Sequence, residues 1–214
     1  MCYILPCKAR LITRVFSKES VFFMSVATDP IRSRRELKAL ANYFLKRGEF
    51  RNYVYIVLGA HTALRVSDLL CLRWEDVYDF EHGHFRERLT VTEKKTGKTR
   101  IIALNREALR ALSLYFPHRQ GDYLFSNRRR EEKPISRVQA WRIIKSAVAA
   151  LGLTGHIGCH SLRKTWGYNA WSRARIRPEI IMQIYNHSSF DITKRYLGIT
   201  QDALDAAYLR MQLF

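Results

Sequence analysis

Residues 158–171, GCHSLRKTWGYNAW, place an imidazole and a guanidinium on one basic, aromatic-rich stretch of the chain. Only two residues separate His160 from Arg163, and Lys164 follows directly. Three interpretations of the pair are open at this point: an incidental surface arrangement, a contact with nucleic acid, or part of a catalytic site for phosphate chemistry. The rest of the chain has to distinguish between them.

The charge of the chain points to a polyanionic partner. Its 214 residues contain 37 Lys and Arg against 19 Asp and Glu, a formal net charge of +18 at pH 7. Charge of that size bears on partners and not on fold. With 47% hydrophobic and 12% aromatic residues, the chain can bury one substantial core, so we expect one domain and a short additional segment.

The first 28 residues predict neither a signal peptide nor a membrane anchor. Charged residues interrupt their apolar patches, and no apolar run in the chain approaches the roughly 20 residues that span a bilayer. We interpret residues 1–28 as a poorly specified extension and residues 29–214 as the folded domain, and we expect no membrane partner. The four cysteines show no Cys-x-x-Cys spacing, which indicates neither a zinc site nor a disulfide framework and suits a reducing compartment.

Apolar periodicity predicts a mainly α-helical fold. Residues 32–48 are typical of an amphipathic helix, with Ser33 and Glu36 as a capping box and Gly48 at its end. Residues 53–64, YVYIVLGAHTAL, predict a helix that is buried nearly all round, and a short helix follows it. Later helices are predicted to begin near these capping or first residues: Asn105, Ser136, Pro178 and Asp191. A terminal amphipathic helix is predicted at 202–211.

One segment breaks the helical pattern. Residues 87–104, ERLTVTEKKTGKTRIIAL, carry β-branched runs on either side of a polar, glycine-containing turn, which is typical of a hairpin with a basic tip. Residues 126–134, SNRRREEKP, predict a charged loop. The predicted fold class is therefore mainly α with a small antiparallel β-hairpin.

Cleavage of a nucleic-acid backbone makes particular demands on side chains. Its transition state carries extra negative charge on the non-bridging phosphate oxygens, which fixed donors must meet. The planar fork of arginine gives two parallel bonds to phosphate and keeps its proton, whereas lysine is a point charge that can also release a proton. Arg65 and Arg163 are the candidates for such a clamp.

A second segment completes a pattern. Residues 184–199, IYNHSSFDITKRYLGI, follow HSLRKTW, and in them His187 precedes Tyr196 by nine positions. In this order the chain resembles the tyrosine recombinase, or phage integrase, family, whose active site is built from Arg, Lys, His-x-x-Arg, His or Trp, and a nucleophilic Tyr. The matching residues, in chain order across about residues 30–200, are Arg65, Lys95, His160, Arg163, His187 and Tyr196.

The resemblance implies a tyrosine recombinase catalytic-domain fold and a site-specific recombinase that cleaves and rejoins DNA through a covalent 3′-phosphotyrosyl intermediate on Tyr196. A tyrosine with a free pKa of about 10 needs a proton acceptor or a positive field during attack. His160 could take that proton. Arg65 and Arg163 would bind the phosphate oxygens, and His187 would add a donor or hold the neighbourhood of the nucleophile.

The leaving 5′ hydroxyl has to be protonated, and a lysine at the hairpin tip can act as the general acid. Lys95 fits best because its KTG context matches the family hairpin, although Lys94 and Lys98 lie within reach of the same turn. The phosphotyrosyl link conserves the energy of the broken phosphodiester, so rejoining needs no ATP. No metal or other cofactor is expected, since metal nucleases collect several carboxylates around their ions.

Three departures separate the chain from the family pattern. Asp68 stands where the family more often has Glu, and its shorter carboxylate is expected to support Arg65 less well. The segment YNHSS replaces the usual Leu-Gly-His. Most relatives carry an additional helical domain before the catalytic one, against about 30 residues here. We expect either an accessory DNA-bending or core-binding protein, or a compact enzyme that works from one face of the DNA.

Double-stranded DNA is the expected partner. The resemblance further implies a homotetramer on two DNA sites, a bacterial or phage origin, and a cytoplasmic location associated with the nucleoid. Two other functions stay open. One is a DNA-binding regulator with the same fold, against which the complete catalytic set argues. The other is a topoisomerase with the same chemistry, which the residues alone do not separate.

Several other groups receive simpler interpretations. Glu81, His82 and His84 could invite a metal ion, but an exposed turn before the hairpin is favoured. Cys159 precedes His160, which could suggest a thiol nucleophile with an adjacent base. Because adjacent residues on a helix point apart, Cys159 is instead expected to pack. Four aromatic side chains are predicted to pack in the core: Trp166, Trp171, Tyr185 and Tyr208.

Overall fold

The computed structural model describes residues 28–127, 129–197, 199, 205 and 208–211. The predicted extension, residues 1–28, lies almost entirely outside them. The helices before residue 120 are α1 (Arg34–Leu45), α2 (Phe50–His61), α3 (Val66–Leu70), α4 (Trp74–Val77) and α5 (Arg106–Tyr115), and a 3-10 turn follows at Phe116–His118. The helices after it are α6 (Arg137–Ala150), α7 (Cys159–Ser172), α8 (Pro178–Tyr185) and α9 (Phe190–Leu197).

The strands of the described chain form three antiparallel pairs. These are β1 (Tyr78–Asp79) with β2 (His84–Phe85), β3 (Arg88–Thr92) with β4 (Thr99–Ala103), and β5 (Ser126–Asn127) with β6 (Arg130–Pro134). The predicted hairpin is β3–β4, in which Leu89 faces Ile102. Leu89 and Val91 are buried and alternate with exposed residues, so one face of the hairpin packs on the helical core.

Local signals in the sequence explain where the helices begin and end. The Ser33 side chain accepts the Glu36 amide at 3.3 Å at the start of α1, and Gly48 has a φ of +68° just after its end, which glycine tolerates at no steric cost. Eight of the twelve residues of α2 are buried, as its apolar sequence predicted. Asn105 caps α5, Ser136 forms a capping box with Gln139 on α6, and α8 begins at Pro178.

Two predictions about local structure are wrong. Asp191 lies inside the first turn of α9, which begins at Phe190, so it does not cap the helix from outside. Residues 126–134 are not a simple loop, because Ser126 pairs with Pro134 and Asn127 pairs with Arg130. An antiparallel pair needs only backbone donors and acceptors, so a charged segment can form one without any apolar pattern.

Two clusters of buried side chains meet along α7. The larger one lies between α1, α2, α5, α6 and the β3–β4 hairpin, and it includes Leu162. The smaller one consists of five buried residues: Ala63, Ala170, Ile181, Tyr185 and Leu197. Helices α2 and α7 approach closely, since a Cβ on Gly59 would lie 2.6 Å from Leu162 Cδ1. The junction of the two clusters is the part of the fold that holds Arg163.

The four aromatic residues that were predicted to pack in the core divide into two groups. Trp166 and Tyr185 pack in the smaller cluster, as predicted. The prediction for Trp171 and Tyr208 is wrong: they are 37% and 80% exposed. The solvent face of α7 carries Trp171, and residues 208–211 do not pack on the core.

None of the described helices combines the length and the apolar character that crossing a bilayer requires.

Candidate active site

Arg65 enters the site from the turn between α2 and α3. Its Nη1 lies 2.7 Å from Oε2 of Glu93, a carboxylate that is completely buried at the end of β3. Arg100 from β4 donates to the other oxygen, Oε1, at 3.0 Å. The Thr96 hydroxyl donates to Oε2 at 2.8 Å. Glu93 therefore ties the first arginine of the site to both strands of the hairpin.

The protonation state of Glu93 follows from these contacts. Burial by itself would raise the pKa of the carboxyl, but its contacts with Thr96, Arg100, Arg65 and Asn186 outweigh burial and lower the pKa to about 2. Glu93 is thus a fixed negative charge at neutral pH. Glu93 is not among the site residues predicted from the sequence, although the alternation of Leu89, Val91 and Glu93 along the strand indicates that position 93 faces the core.

The carboxylate that supports Arg65 is Glu93 and not Asp68. Asp68 is buried in α3, where one of its oxygens accepts the backbone amide of Lys94 at 3.1 Å. It also accepts the Ser67 hydroxyl at 3.3 Å. The shorter side chain at this position therefore holds the hairpin backbone, and the longer carboxylate 25 residues later holds the arginine.

Arg163, the second candidate for the phosphate clamp, lies inside the fold. Its side chain is buried, and its two Nη atoms donate to backbone carbonyls, one to Ala63 and the other to Tyr185 at 2.9 Å. Ala63 has a φ of +55°, an uncommon backbone conformation for a residue with a Cβ. Burial, followed by the nearby charge of Arg65, lowers the pKa of Arg163 to about 10, so it stays cationic at neutral pH.

The ring of Tyr196, on α9, lies between aromatic and cationic neighbours. The imidazole of His187 is 4.8 Å from it and the ring of Tyr185 is 4.9 Å away, measured between ring centroids. The guanidinium carbon of Arg163 lies 6.0 Å from the Tyr196 ring, and Lys164 Nζ lies 5.9 Å from it. Two cationic side chains, those of Arg163 and Lys164, therefore lie close to the ring of Tyr196.

His187 is held by three neighbours. It follows Asn186, the left-handed residue that ends α8, and its ring stacks on Tyr185 with 5.0 Å between centroids. Its Nδ1 lies 3.0 Å from the hydroxyl of Thr193, which is fully buried. Burial lowers the pKa of His187 to about 4, with further contributions from Arg163 and Arg65. This imidazole is therefore neutral at neutral pH.

His160 lies at the edge of the cluster, in the first turn of α7, with its side chain exposed. Removal of part of its hydration lowers its pKa, and the charges of Arg163, Arg137, Lys164 and Arg65 lower it further. In the described chain no ring contact joins His160 to Tyr196, and the imidazole beside the phenol is that of His187. The side chains of His160 and Arg163 therefore have different environments: the imidazole faces solvent and the guanidinium is buried.

The three lysines of the hairpin turn point to different partners. The side chain of Lys94 lies beside Cys71, the residue that ends α3, and hydrogen bonding to Cys71 raises the pKa of Lys94. Lys98 Nζ donates to Asn186 Oδ1 at 3.1 Å. Lys95 is exposed, and among the described side chains it has no hydrogen-bond or ion-pair partner. Lys95 is therefore the lysine that is free to move.

The structure offers no candidate metal site in the part of the chain that it describes, where no group of three or more His, Cys, Asp or Glu side chains could hold an ion. Glu81, His82 and Gly83, whose φ is +68°, lie in the exposed turn between β1 and β2, and His84 begins β2. His82 Nδ1 lies 3.2 Å from an oxygen of Asp79. The interpretation of this segment as a turn is confirmed.

A model of the phage integrase family matches residues 32–202. The chain belongs to this family. Over 180 residues it is 40% identical to a probable integrase/recombinase, YoeC, of Bacillus subtilis, an alignment that covers 84% of this chain and 94% of that protein. The crystal structure of XerA recombinase matches with a TM-score of 0.69 and 25% identity, over 88% of this chain and 66% of that chain. The Tn1549 transposon integrase, solved in complex with transposon right end DNA, matches with a TM-score of 0.67 and 19% identity, over 87% and 67%.

These relatives confirm the predicted family and the predicted fold. They also agree with the predicted class of enzyme, a tyrosine-type site-specific recombinase. The extent of the match varies among them: this integrase-family chain spans nearly all of YoeC, but only about half the length of the XerD tyrosine recombinases that it matches.

Proposed function

We propose that the chain is a site-specific DNA recombinase in which the Tyr196 oxygen attacks a backbone phosphorus. A 3′-phosphotyrosyl bond forms as the bond from phosphorus to the 5′ oxygen breaks. The reverse attack by a DNA hydroxyl restores the backbone. The observation that carries the proposal is the position of the Tyr196 ring, 4.8 Å from a neutral imidazole and 6.0 Å from a buried guanidinium.

Activation of the nucleophile requires a proton acceptor near the phenol. His187 and His160 both have lowered pKa values, so each is unprotonated at neutral pH and has a ring nitrogen with a free lone pair, although the lowered pKa also makes each a weaker base. His187 is the one in contact with the Tyr196 ring. His160, the base predicted from the motif, lies at the start of α7 and would act from the open side of the cluster. Substitution of each imidazole separately distinguishes the two.

The two arginines have different roles in this proposal. Arg65 is partly exposed, with 18% of its side chain accessible, and it meets a phosphate oxygen while Glu93 holds its other edge. Arg163 already donates to two carbonyls, so it contributes through its charge and contacts phosphate directly only by exchanging one carbonyl for a phosphate oxygen. Both stabilise the charge that develops on the non-bridging oxygens.

Departure of the 5′ oxygen requires a proton, which we assign to Lys95. Its exposed side chain stands at the tip of the β3–β4 hairpin without a competing partner in the described structure, and a flexible lysine can follow the leaving group. The proton that leaves Tyr196 and the proton that reaches the 5′ oxygen balance, so the step consumes no cofactor.

Double-stranded DNA is the proposed substrate. The formal charge of +18 supports this, and so does the likeness to an integrase solved with transposon DNA. A homotetramer on two sites, help from an accessory DNA-bending or core-binding protein, and action at the bacterial nucleoid belong to the same proposal. They follow from family membership and not from any contact within the chain.

The proposal is tested with candidate-site DNA that carries a nick close to the cleavage position, so that the short 5′ fragment diffuses away and the covalent product accumulates. The wild-type protein should give an adduct that survives denaturation, and Tyr196→Phe should give none. Tyr208→Phe is the matched control, because this ring is exposed and far from core packing. A shift of the DNA in a gel-retardation assay, without any covalent adduct, would favour the alternative of a DNA-binding regulator with the same fold.

Supercoiled plasmids separate the remaining alternative. A site-specific recombinase should act only when the plasmid carries its two sites, and it should exchange the flanking segments. Relaxation of a plasmid without such sites, at a rate similar to that of a plasmid with them, would instead indicate a topoisomerase.

A further inference from the structure

The turn between β3 and β4 is fastened to the junction of α8 and α9 by one side chain, that of Asn186. Its Nδ2 donates to Glu93 Oε2 and to the Thr96 hydroxyl, both at 3.3 Å. Its Oδ1 accepts Lys98 Nζ at 3.1 Å. Both amide hydrogens and the amide oxygen are thus engaged, and all three partners belong to the turn of the hairpin, roughly 90 residues away in sequence.

The backbone at position 186 explains why an asparagine can stand there. Asn186 has φ 53° and ψ 47°, and it ends α8 in the left-handed conformation. Glycine and asparagine are the residues that adopt this conformation most readily at the end of a helix. A glycine would satisfy the backbone equally well but would offer nothing to the hairpin. The side chain therefore adds a function that the backbone does not require.

The two segments that Asn186 joins carry the proposed general acid and the proposed nucleophile. Lys95 lies in the hairpin turn between Glu93 and Thr96, and His187 directly follows Asn186 on the way to Tyr196. Beyond the Asn186 contacts, the turn is tied to α3, where Asp68 accepts the Lys94 amide and Arg65 pairs with Glu93. Within the turn, the amides of Thr96 and Gly97 donate to the Glu93 carbonyl, and the Glu93 amide donates to the Lys98 carbonyl. These local bonds shape the turn, but they do not fix its position relative to α9.

We propose that Asn186 is a positioning residue that locks the hairpin turn against the α8–α9 junction, so that the general acid Lys95 and the nucleophile Tyr196 address one phosphate. The lock also occupies Lys98, which leaves Lys95 as the mobile lysine of the turn. This inference rests on the proposed function, because it assigns to the lock the geometry of that reaction. A displacement of about 1 Å of a catalytic group can cost about a hundredfold in rate.

Asn186→Gly is the decisive variant, since it keeps a backbone suited to φ +53° and removes only the lock. Arg175→Gly is its matched control: Arg175 also has a positive φ, of 56°, and it is exposed. Each variant is assayed for single-turnover cleavage on two nicked substrates, one with the natural 5′ oxygen and one with sulfur at that bridging position. A thiolate leaves without protonation far more readily than an alkoxide, so the sulfur substrate does not need a general acid.

If Asn186 positions the acid, Asn186→Gly should cleave the oxygen substrate at least about tenfold more slowly, since general acids contribute about 10² to 10⁴. It should cleave the sulfur substrate at close to the wild-type rate, and it should bind DNA as the wild type does. Lys95→Met should show the same pattern more strongly, and Arg175→Gly should resemble the wild type on both substrates.

Hydrogen exchange supplies a second measurement that does not depend on cleavage. The amides of residues 96–98 should exchange faster in Asn186→Gly, while those of α5 stay unchanged. A wild-type rate on the oxygen substrate, an equal loss on both substrates, or unchanged exchange in the turn would each overturn the lock. Failure of the recombinase proposal looks different, because the wild-type protein would then form no Tyr196 adduct on either substrate.

Discussion

Glu93→Gln tests the electrostatic centre of the site. The substitution keeps the shape of the side chain and removes a negative charge that faces Arg65 at 2.7 Å and Arg100 at 3.0 Å. Glu93 is fully buried, and the two arginine side chains are only 18% and 13% exposed. The variant therefore leaves two neighbouring cations with little solvent to screen them from each other.

The size of the effect follows from the pKa of this carboxyl, which lies at about 2 against 4.5 for a free glutamate. At about 1.4 kcal/mol for each pKa unit, the charged form gains about 3 kcal/mol on folding. Removing one partner from a buried ion pair typically costs about 3–5 kcal/mol. We therefore expect Glu93→Gln to lower the free energy of unfolding by about 3 kcal/mol at pH 7.

Urea denaturation followed by circular dichroism measures this loss. Glu107→Gln is the control, because its carboxylate is 78% exposed and pairs with His61 at the surface, where a pair contributes about 0–1 kcal/mol. Added DNA should reduce the deficit of Glu93→Gln, since phosphate then faces the arginines. A loss below about 1 kcal/mol, or one no larger than that of the control, would refute the assignment of Glu93 as the charge that holds Arg65 in place.

Three further predictions follow from the same structure. Acidification should destabilise the protein in two steps, because the unfolded chain takes up protons that the folded chain excludes: at His187 as the pH falls from 6.5 to about 4, and at Glu93 as it falls from 4.5 to about 2. Thermal melts at a series of pH values check this, and a melting temperature that rises on acidification from pH 7 to 5 would contradict it. Gly167→Ala should cost about 1–3 kcal/mol of stability, because the new Cβ would lie 2.3 Å from the buried Tyr185 hydroxyl, and an unchanged melting temperature would count against this close contact. DNA affinity should fall linearly with salt on logarithmic axes as phosphates are neutralised, and a salt-independent Kd from fluorescence anisotropy would exclude a phosphate-dominated interface.

The parts of the structure that could be predicted from the sequence are those set by neighbouring residues. The caps at Ser33, Asn105 and Ser136 each bond to a residue three positions later. The β3–β4 hairpin is indicated by apolar and polar residues that alternate on either side of a turn with a glycine. The family pattern in turn predicted six catalytic residues, and four of them lie near one another in the structure: Arg65, Arg163, His187 and Tyr196.

What the sequence did not predict depends on contacts between distant segments. Nothing near Arg163 in sequence indicates that its fork is taken up by the carbonyls of Ala63 and Tyr185. Asn186 stands where the family usually has Gly, and from the sequence alone this is only a departure from the family pattern. Its left-handed backbone and its three side-chain contacts give that departure a physical reason, and both are visible only once the hairpin lies against α8 and α9.

The central claim is that the phenolic oxygen of Tyr196 becomes bonded to the phosphate of cleaved DNA. Nuclease trimming of the adduct, protease digestion and tandem mass spectrometry would locate that bond directly. We expect one modified peptide, in which Tyr196 carries a 3′-linked nucleotide. Attachment at Tyr185, Tyr208 or any other side chain, or an adduct that persists in Tyr196→Phe, would contradict it.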